Sequence, residues 1–139
     1  MDRETRILAI DYGEKRIGTA ISDPLKILAQ PFEFIPNDEG TMARLARIVK
    51  DKNIERIVMG FPYKDNSDVS EVMKKILVFK SNIEKIFLME VILVDERYTS
   101  SIASQRILDS GAKKNKRRDK SLIDIQSAVI ILEDYLRNI

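Results

Sequence analysis

An apolar run ending in a carboxylate, residues 7–11, is followed after four turn residues (Tyr12, Gly13, Glu14, Lys15) by a second run, residues 16–22. The second run alternates, with Ile17, Thr19 and Ile21 on one face and the small Gly18, Ala20 and Ser22 on the other, as a strand requires. Two strands this close in sequence form a hairpin, and Gly13 can supply a positive φ in the turn. The sheet therefore begins antiparallel. The next segments change its character. Residues 32–35 read as a third strand between Pro31 and Pro36, and residues 38–51 as a helix in which Met42, Leu45, Ile48 and Val49 recur at helical spacing. Residues 57–60 are a short continuous apolar run, the mark of a buried parallel strand, stopped at Gly60-Phe61-Pro62.

A long helix is expected over residues 68–87, capped by Ser67, with Val72, Met73, Ile76, Leu77, Ile83, Ile86 and Phe87 inward. Residues 91–94 form the last strand and end at Asp95-Glu96-Arg97. A helix over residues 100–110 is capped by Thr99 and stopped by Gly111. The last helix spans residues 122–137, with Leu122, Ile125, Val129, Leu132 and Leu136 as its core stripe. A hairpin continued by βαβ units makes an α/β fold, a mixed five-stranded sheet with helices on both faces. Ligands in such sheets bind beyond the carboxyl ends of the parallel strands.

A chain of 139 residues is expected to form a single domain, residues 1–139. It has no run of the ~18 apolar residues that span a bilayer and no signal-peptide pattern, so the expectation is a soluble cytoplasmic protein without a membrane partner. An absence narrows its chemistry further. There is no His and no Cys, which removes the usual zinc sites, Ser-His-Asp triads and Cys-His pairs. A metal would be held by oxygen ligands, favouring Mg²⁺ or Mn²⁺. The net charge is only +2, but residues 113–120 carry six basic side chains and one acid. That segment is +5 and the rest of the chain −3, so one basic loop on a weakly acidic body points to a polyanion contact. A solvated surface loop is the simpler alternative.

Asp11 ends the first strand, Asp95 and Glu96 end the last, and Asp124 opens the last helix. If the first and last strands are parallel neighbours, Asp11 and Glu96 emerge on one edge, and Asp124 borders the core stripe. Each has a simpler role available. Asp11 could bond turn amides, Asp95 and Glu96 could cap or pair with Arg97, and Ser121 to Asp124 resembles a capping box. Three converging carboxylates would repel without a divalent cation. With two such ions ~4 Å apart they would clamp a phosphodiester, one ion activating water and the other stabilising the leaving oxygen. Asp11, on a rigid strand, would be the bridging ligand. The three acids are expected within about 4–8 Å of a common point.

Residues 8–23 (LAIDYGEKRIGTAISD), 58–62 (VMGFP), 94–100 (VDERYTS) and 123–136 (IDIQSAVIILEDYL) occur in that order. Together they resemble the YqgF/RuvX family of bacterial proteins, associated with Holliday junction resolution and with pre-16S rRNA maturation. The resemblance implies a ribonuclease H-like fold related to RuvC resolvases and a hydrolase acting on ester bonds, a metal-dependent nuclease. It also implies a carboxylate site of Asp11, Glu96 and Asp124 holding Mg²⁺ or Mn²⁺. Nucleic-acid contacts are implied at Lys15, Arg16, Arg97, Lys113, Lys114, Lys116, Arg117, Arg118 and Lys120. The substrate would be structured RNA, with 5′-end processing of precursor 16S rRNA favoured over branched DNA, and the protein a monomer or homodimer. Phe61, Tyr98 and Ser100 depart from the usual family pattern, as does the loop over residues 63–67, without removing a proposed ligand. Two alternatives remain. An actin-like or sugar-kinase nucleotide binder shares the Asp-x-Gly hairpin but needs two such domains. A non-catalytic nucleic-acid-binding module would use the basic loop and leave the acids structural.

Overall fold

The computed structural model describes residues 4–63, 70–96, 99–109 and 120–139, apart from the side chains of residues 99–101, 104 and 120–124. The elements are β1 (Arg6–Asp11), β2 (Arg16–Ser22), β3 (Ala29–Pro36), α1 (Thr41–Asp51), β4 (Ile54–Phe61), α2 (Glu71–Phe87), β5 (Val91–Asp95), α3 (Thr99–Asp109) and α4 (Lys120–Arg137). The strands form one sheet in the order β3-β2-β1-β4-β5. β1, β2 and β3 pair antiparallel, while β1, β4 and β5 are parallel. The hairpin and the two crossovers expected from sequence are thus both present. Among the described residues no helix is long and apolar enough to cross a membrane.

Side-chain alternation divides the sheet between two cores. Leu8, Ile10, Ile17, Ile57, Met59 and Phe61 pack with Leu45 and Ile48 of α1 and Met73, Ile76, Phe79 and Ile83 of α2. Ile7, Ala9, Ala20, Val58 and Val94 pack on the other face with Ala128, Val129, Ile131, Leu132 and Tyr135 of α4. Asp11 continues the Ile7–Ala9 alternation and so belongs to the α4 face.

Several expectations are corrected by packing. β3 is longer than residues 32–35 and includes both prolines, which an edge strand tolerates because one row of its N–H groups is unused. α1 starts at Thr41 rather than Asp38. Asp38 is committed to a turn instead, its carboxylate accepting from Gly40 N at 2.8 Å and pairing with Arg44 at 2.7 Å. The cap of α2 is Ser70, whose hydroxyl accepts from Met73 N at 3.2 Å, while Ser67 lies outside the described residues. On α2, Val72, Leu77 and Ile86 are exposed and Phe79 is buried. On α4, Val129 and Leu132 are buried as expected and Ile125 and Leu136 are half-buried, Leu136 against the same core, while Ser127, Ala128, Ile131 and Tyr135 join the buried stripe. Gly13 keeps an ordinary φ, and its requirement is steric. A Cβ there would lie 2.3 Å from the Arg16 carbonyl oxygen.

Candidate active site

Three parallel strands bring their carboxyl ends to one edge. Ile10 is level with Met59 in the β1–β4 register, and Gly60 with Val94, Phe61 with Asp95 in the β4–β5 register. Asp11 on β1 and Glu96, one residue past β5, therefore flank β4 at Gly60. Neighbouring strands are about 4.8 Å apart, so two acids separated by a whole strand meet only if the middle strand leaves room. Gly60 leaves it. A Cβ there would lie 2.6 Å from Glu96 Oε2, 2.8 Å from Glu96 Cδ and 2.5 Å from Ile131 Cδ1. The Glu96 carboxyl occupies the space a side chain would fill, over the α4 face. Its backbone N–H donates to Phe61 O at 3.1 Å, which fixes the approach.

In that position the Glu96 carboxyl hydrogen-bonds the Asp11 carboxyl. Burial, with a smaller contribution from the nearby Asp95 charge, pushes the Glu96 carboxyl above the ordinary glutamate range, and the bond to Asp11 opposes the shift. Asp95 itself is exposed and belongs by alternation to the α2 face. The hairpin turn between β1 and β2 is held against the end of β3: Asn37 Nδ2 donates to Gly13 O at 2.8 Å and Asn37 N to Lys15 O at 3.0 Å. Lys15 is exposed on that turn and Arg16 half-buried beside it.

The direction of α4 decides where Asp124 stands. Tyr135 Oη accepts from Arg56 Nη1 at 2.7 Å near the start of β4, and Ile131 covers Gly60 near its end. The helix therefore runs antiparallel to β4, and its N-terminal turns extend toward the edge where Asp11 and Glu96 meet. Position 124 is seven residues before Ile131, about 10 Å along the axis, and shares its helical face with Ser127 and Ile131. The helix is described from Lys120 onward, and the side chains of Ser121 and Asp124, on which a capping box would depend, lie outside the described residues. Ser127 is 1% exposed, and its hydroxyl has no hydrogen-bond partner among the described residues. It is a buried polar atom of the kind normally satisfied by water or ligand.

The side chains of Asp124 and Lys120 lie outside the described residues, as do Arg97, Lys113, Lys114, Lys116, Arg117 and Arg118. Among the described residues, no group of three or more Asp, Glu, His or Cys side chains gathers as a metal cluster. The Asp11–Glu96 pair fits a hard cation nonetheless. Its donors are all oxygen, and they are held in contact in a seat that only a glycine permits. Sequence reading missed Gly60 as part of this site, taking it as a strand terminator. An isolated glycine within an apolar strand was the available signal of a close approach.

A family model described as RuvX, Holliday junction resolvase, matches residues 5–138. The chain belongs to the RuvX family. Its curated RuvX relatives include two proteins named "Putative pre-16S rRNA nuclease". The one from Bacteroides fragilis is 43% identical over 133 residues, covering 95% of this chain and 96% of the relative. The one from Porphyromonas gingivalis is 44% identical over 134 residues, covering 96% of both. Two solved structures share the fold at low identity. RuvC of T. thermophilus in complex with a Holliday junction substrate aligns with TM-score 0.58 and 13% identity, over 96% of this chain and 94% of that one. Fowlpox virus resolvase in complex with Holliday junction DNA aligns with TM-score 0.57 and 16% identity, over 96% and 97%. The RuvX chain thus has the ribonuclease H-like fold of RuvC-type resolvases.

A pH response follows from the pair. An acid whose value is raised on folding stabilises the native state below its unfolded value, and that contribution is lost as pH rises through the folded one. Without metal, the melting temperature is expected to rise as pH falls from neutrality toward the ordinary glutamate range. Over the same window protons compete with a cation, so the stabilisation given by Mn²⁺ should shrink. Glu96→Gln should flatten both trends. Melting curves across this range, with and without Mn²⁺, read both, and a flat profile for the parent would contradict a raised Glu96 carboxyl.

Proposed function

We propose that this chain is a metal-dependent nuclease that hydrolyses phosphodiester bonds in structured RNA, processing the 5′ end of precursor 16S rRNA. The observation that carries the reading is the contact of the Asp11 and Glu96 carboxyls over Gly60, at the edge toward which α4 begins. In this reading Asp11, Glu96 and Asp124 hold Mg²⁺ or Mn²⁺. When bound, the ions supply an activated water and stabilise the leaving oxygen of the phosphodiester. Burial holds the Glu96 carboxyl above the ordinary glutamate range, so its proton must leave before it can become a ligand.

The basic residues bind the substrate backbone. Lys15 and Arg16 follow Asp11 at the hairpin turn, Arg97 follows Glu96, and Lys113, Lys114, Lys116, Arg117, Arg118 and Lys120 lead into the start of α4. The cationic side chains therefore adjoin the three acids along the chain, as backbone-positioning contacts would. The names of the curated relatives favour precursor rRNA as substrate. Holliday junction cleavage is the second reading, favoured by the family description and the fold neighbours. It would call for a symmetric pair of active sites.

Purified protein incubated with labelled precursor 16S rRNA and with four-way DNA junctions, in Mn²⁺ and in EDTA, separates the readings. The expected result is Mn²⁺-dependent cleavage near the 5′ end of the rRNA and none in EDTA. Cleavage confined to the junction would favour resolution. Binding without cleavage of either substrate would leave a non-catalytic binding module.

A further inference from the structure

A second concavity lies at the same edge of the sheet but on its α2 face. It has a volume of about 280 Å³ and is lined by Tyr12, Lys74, Lys75, Val78, Phe79 and Asn82. Tyr12 is the residue after Asp11, so the cavity and the acid pair share a backbone. The Tyr12 ring rests on Phe79 at 4.9 Å between centroids, tilted by 51°. Phe79 is buried, whereas Val78 is 61% exposed beside it. Val78 therefore leaves apolar surface uncovered beside the half-buried Tyr12, whose ring is backed by Phe79.

Two lysines stand on its rim, each paired with a glutamate. Lys75 Nζ lies 2.9 Å from Glu14 of the hairpin turn, and Lys74 Nζ 3.3 Å from Glu71. Both pairs are solvent-exposed and can be exchanged for a phosphate at little cost. Asn82 adds an amide able both to donate and to accept. A flat aromatic-bearing surface, a polar edge and two lysines complement one kind of occupant: an unpaired nucleotide, its base on Tyr12 and Val78 and its phosphate between the lysines.

We propose that this cavity is a nucleotide subsite that takes an unpaired base of the substrate strand next to the one being cut. The proposal rests on the nuclease reading and deepens it. It assigns the enzyme a preference for substrates with a single-stranded segment at the cleavage point. A fully paired duplex could not place a base there without unstacking it.

The test is binding in EDTA, where no cleavage occurs, using a short single-stranded RNA carrying 2-aminopurine and the same RNA annealed to its complement. Val78→Glu replaces an exposed side chain, so the fold is expected to persist. Tyr12→Leu removes the ring, and Tyr12→Phe keeps it. We expect Val78→Glu and Tyr12→Leu to weaken single-strand binding about tenfold and to abolish the change in 2-aminopurine emission. Tyr12→Phe should bind as the parent, and all four proteins should bind duplex alike. Single-strand affinity and emission unchanged in Val78→Glu would overturn the proposal, as would an equal loss on duplex. The outcome is independent of the nuclease reading, which stands or falls on cleavage by the parent in Mn²⁺.

Discussion

Asp11→Asn is expected to lower phosphodiester cleavage by orders of magnitude while the protein stays fully folded, and Asp124→Asn is expected to do the same. Asp11 sits in carboxyl–carboxyl contact with Glu96, an arrangement that disfavours the apo state as soon as both groups ionise. An amide at position 11 keeps the shape, can donate to Glu96 and removes one charge. The apo variant should therefore melt at or above the parent's temperature near neutral pH. What it loses is the gain from metal, which for the parent amounts to about 2.7 kcal/mol at a metal concentration a hundredfold above the dissociation constant. If Asp11 were only a turn residue, the substitution would cost roughly 1 kcal/mol of folding stability and leave the folded fraction active. Melts with and without Mn²⁺ beside a cleavage assay separate the two roles.

Gly60→Ala is expected to damage the site from the opposite side of the same contact. The added methyl would lie 2.5 Å from Ile131 Cδ1 and 2.6 Å from Glu96 Oε2, so both must move. Ile131 is 1% exposed and has little room to give. Overpacking of this kind costs about 1–3 kcal/mol, or about 4–12 °C in melting temperature for a chain of this size. Glu96 is the freer of the two and should be pushed off Asp11. A displacement of about 1 Å in a catalytic group can cost about a hundredfold in rate, so cleavage should fall by more than the loss of folded protein accounts for. Cleavage per folded molecule, corrected by the melt, is the measurement. A variant that is less stable but unimpaired per folded molecule would show that the Gly60 seat serves packing alone.

The strands were more legible than the helix faces, for a physical reason. β2 alternates strictly, and its bounds, residues 16–22, are the observed ones. α2 carries apolar residues around most of its circumference. Hydrophobicity therefore placed Val72, Leu77 and Ile86 inward, although only Met73, Ile76, Phe79 and Ile83 are buried. α4 misleads in a different way. Val129 and Leu132 are buried as expected, but the helix also packs with Ala9 and Ala20 of the sheet through its small Ala128, which a stripe of large apolar residues overlooks. The edge position of β3 explains why its prolines did not end it, since pairing partners are not visible in the local sequence. Asp11 and Glu96 were legible because each ends a strand, and parallel strands deliver their ends to one edge. Gly60 was not, because its contribution is a missing side chain between two acids far apart in the sequence.

The most direct test of the three-acid site is cleavage of labelled precursor 16S rRNA in Mn²⁺ by Asp124→Asn beside the parent, with folding checked by circular dichroism and melting. Asp124 enters from a helix whose direction, fixed by the Tyr135–Arg56 and Ile131–Gly60 contacts, carries its first turn toward the Asp11–Glu96 edge. The expected result is a folded variant with parental helix content, cleavage reduced by orders of magnitude and a diminished melting shift on adding Mn²⁺. A folded Asp124→Asn that cleaves at the parental rate with the parental metal response would contradict the three-acid site.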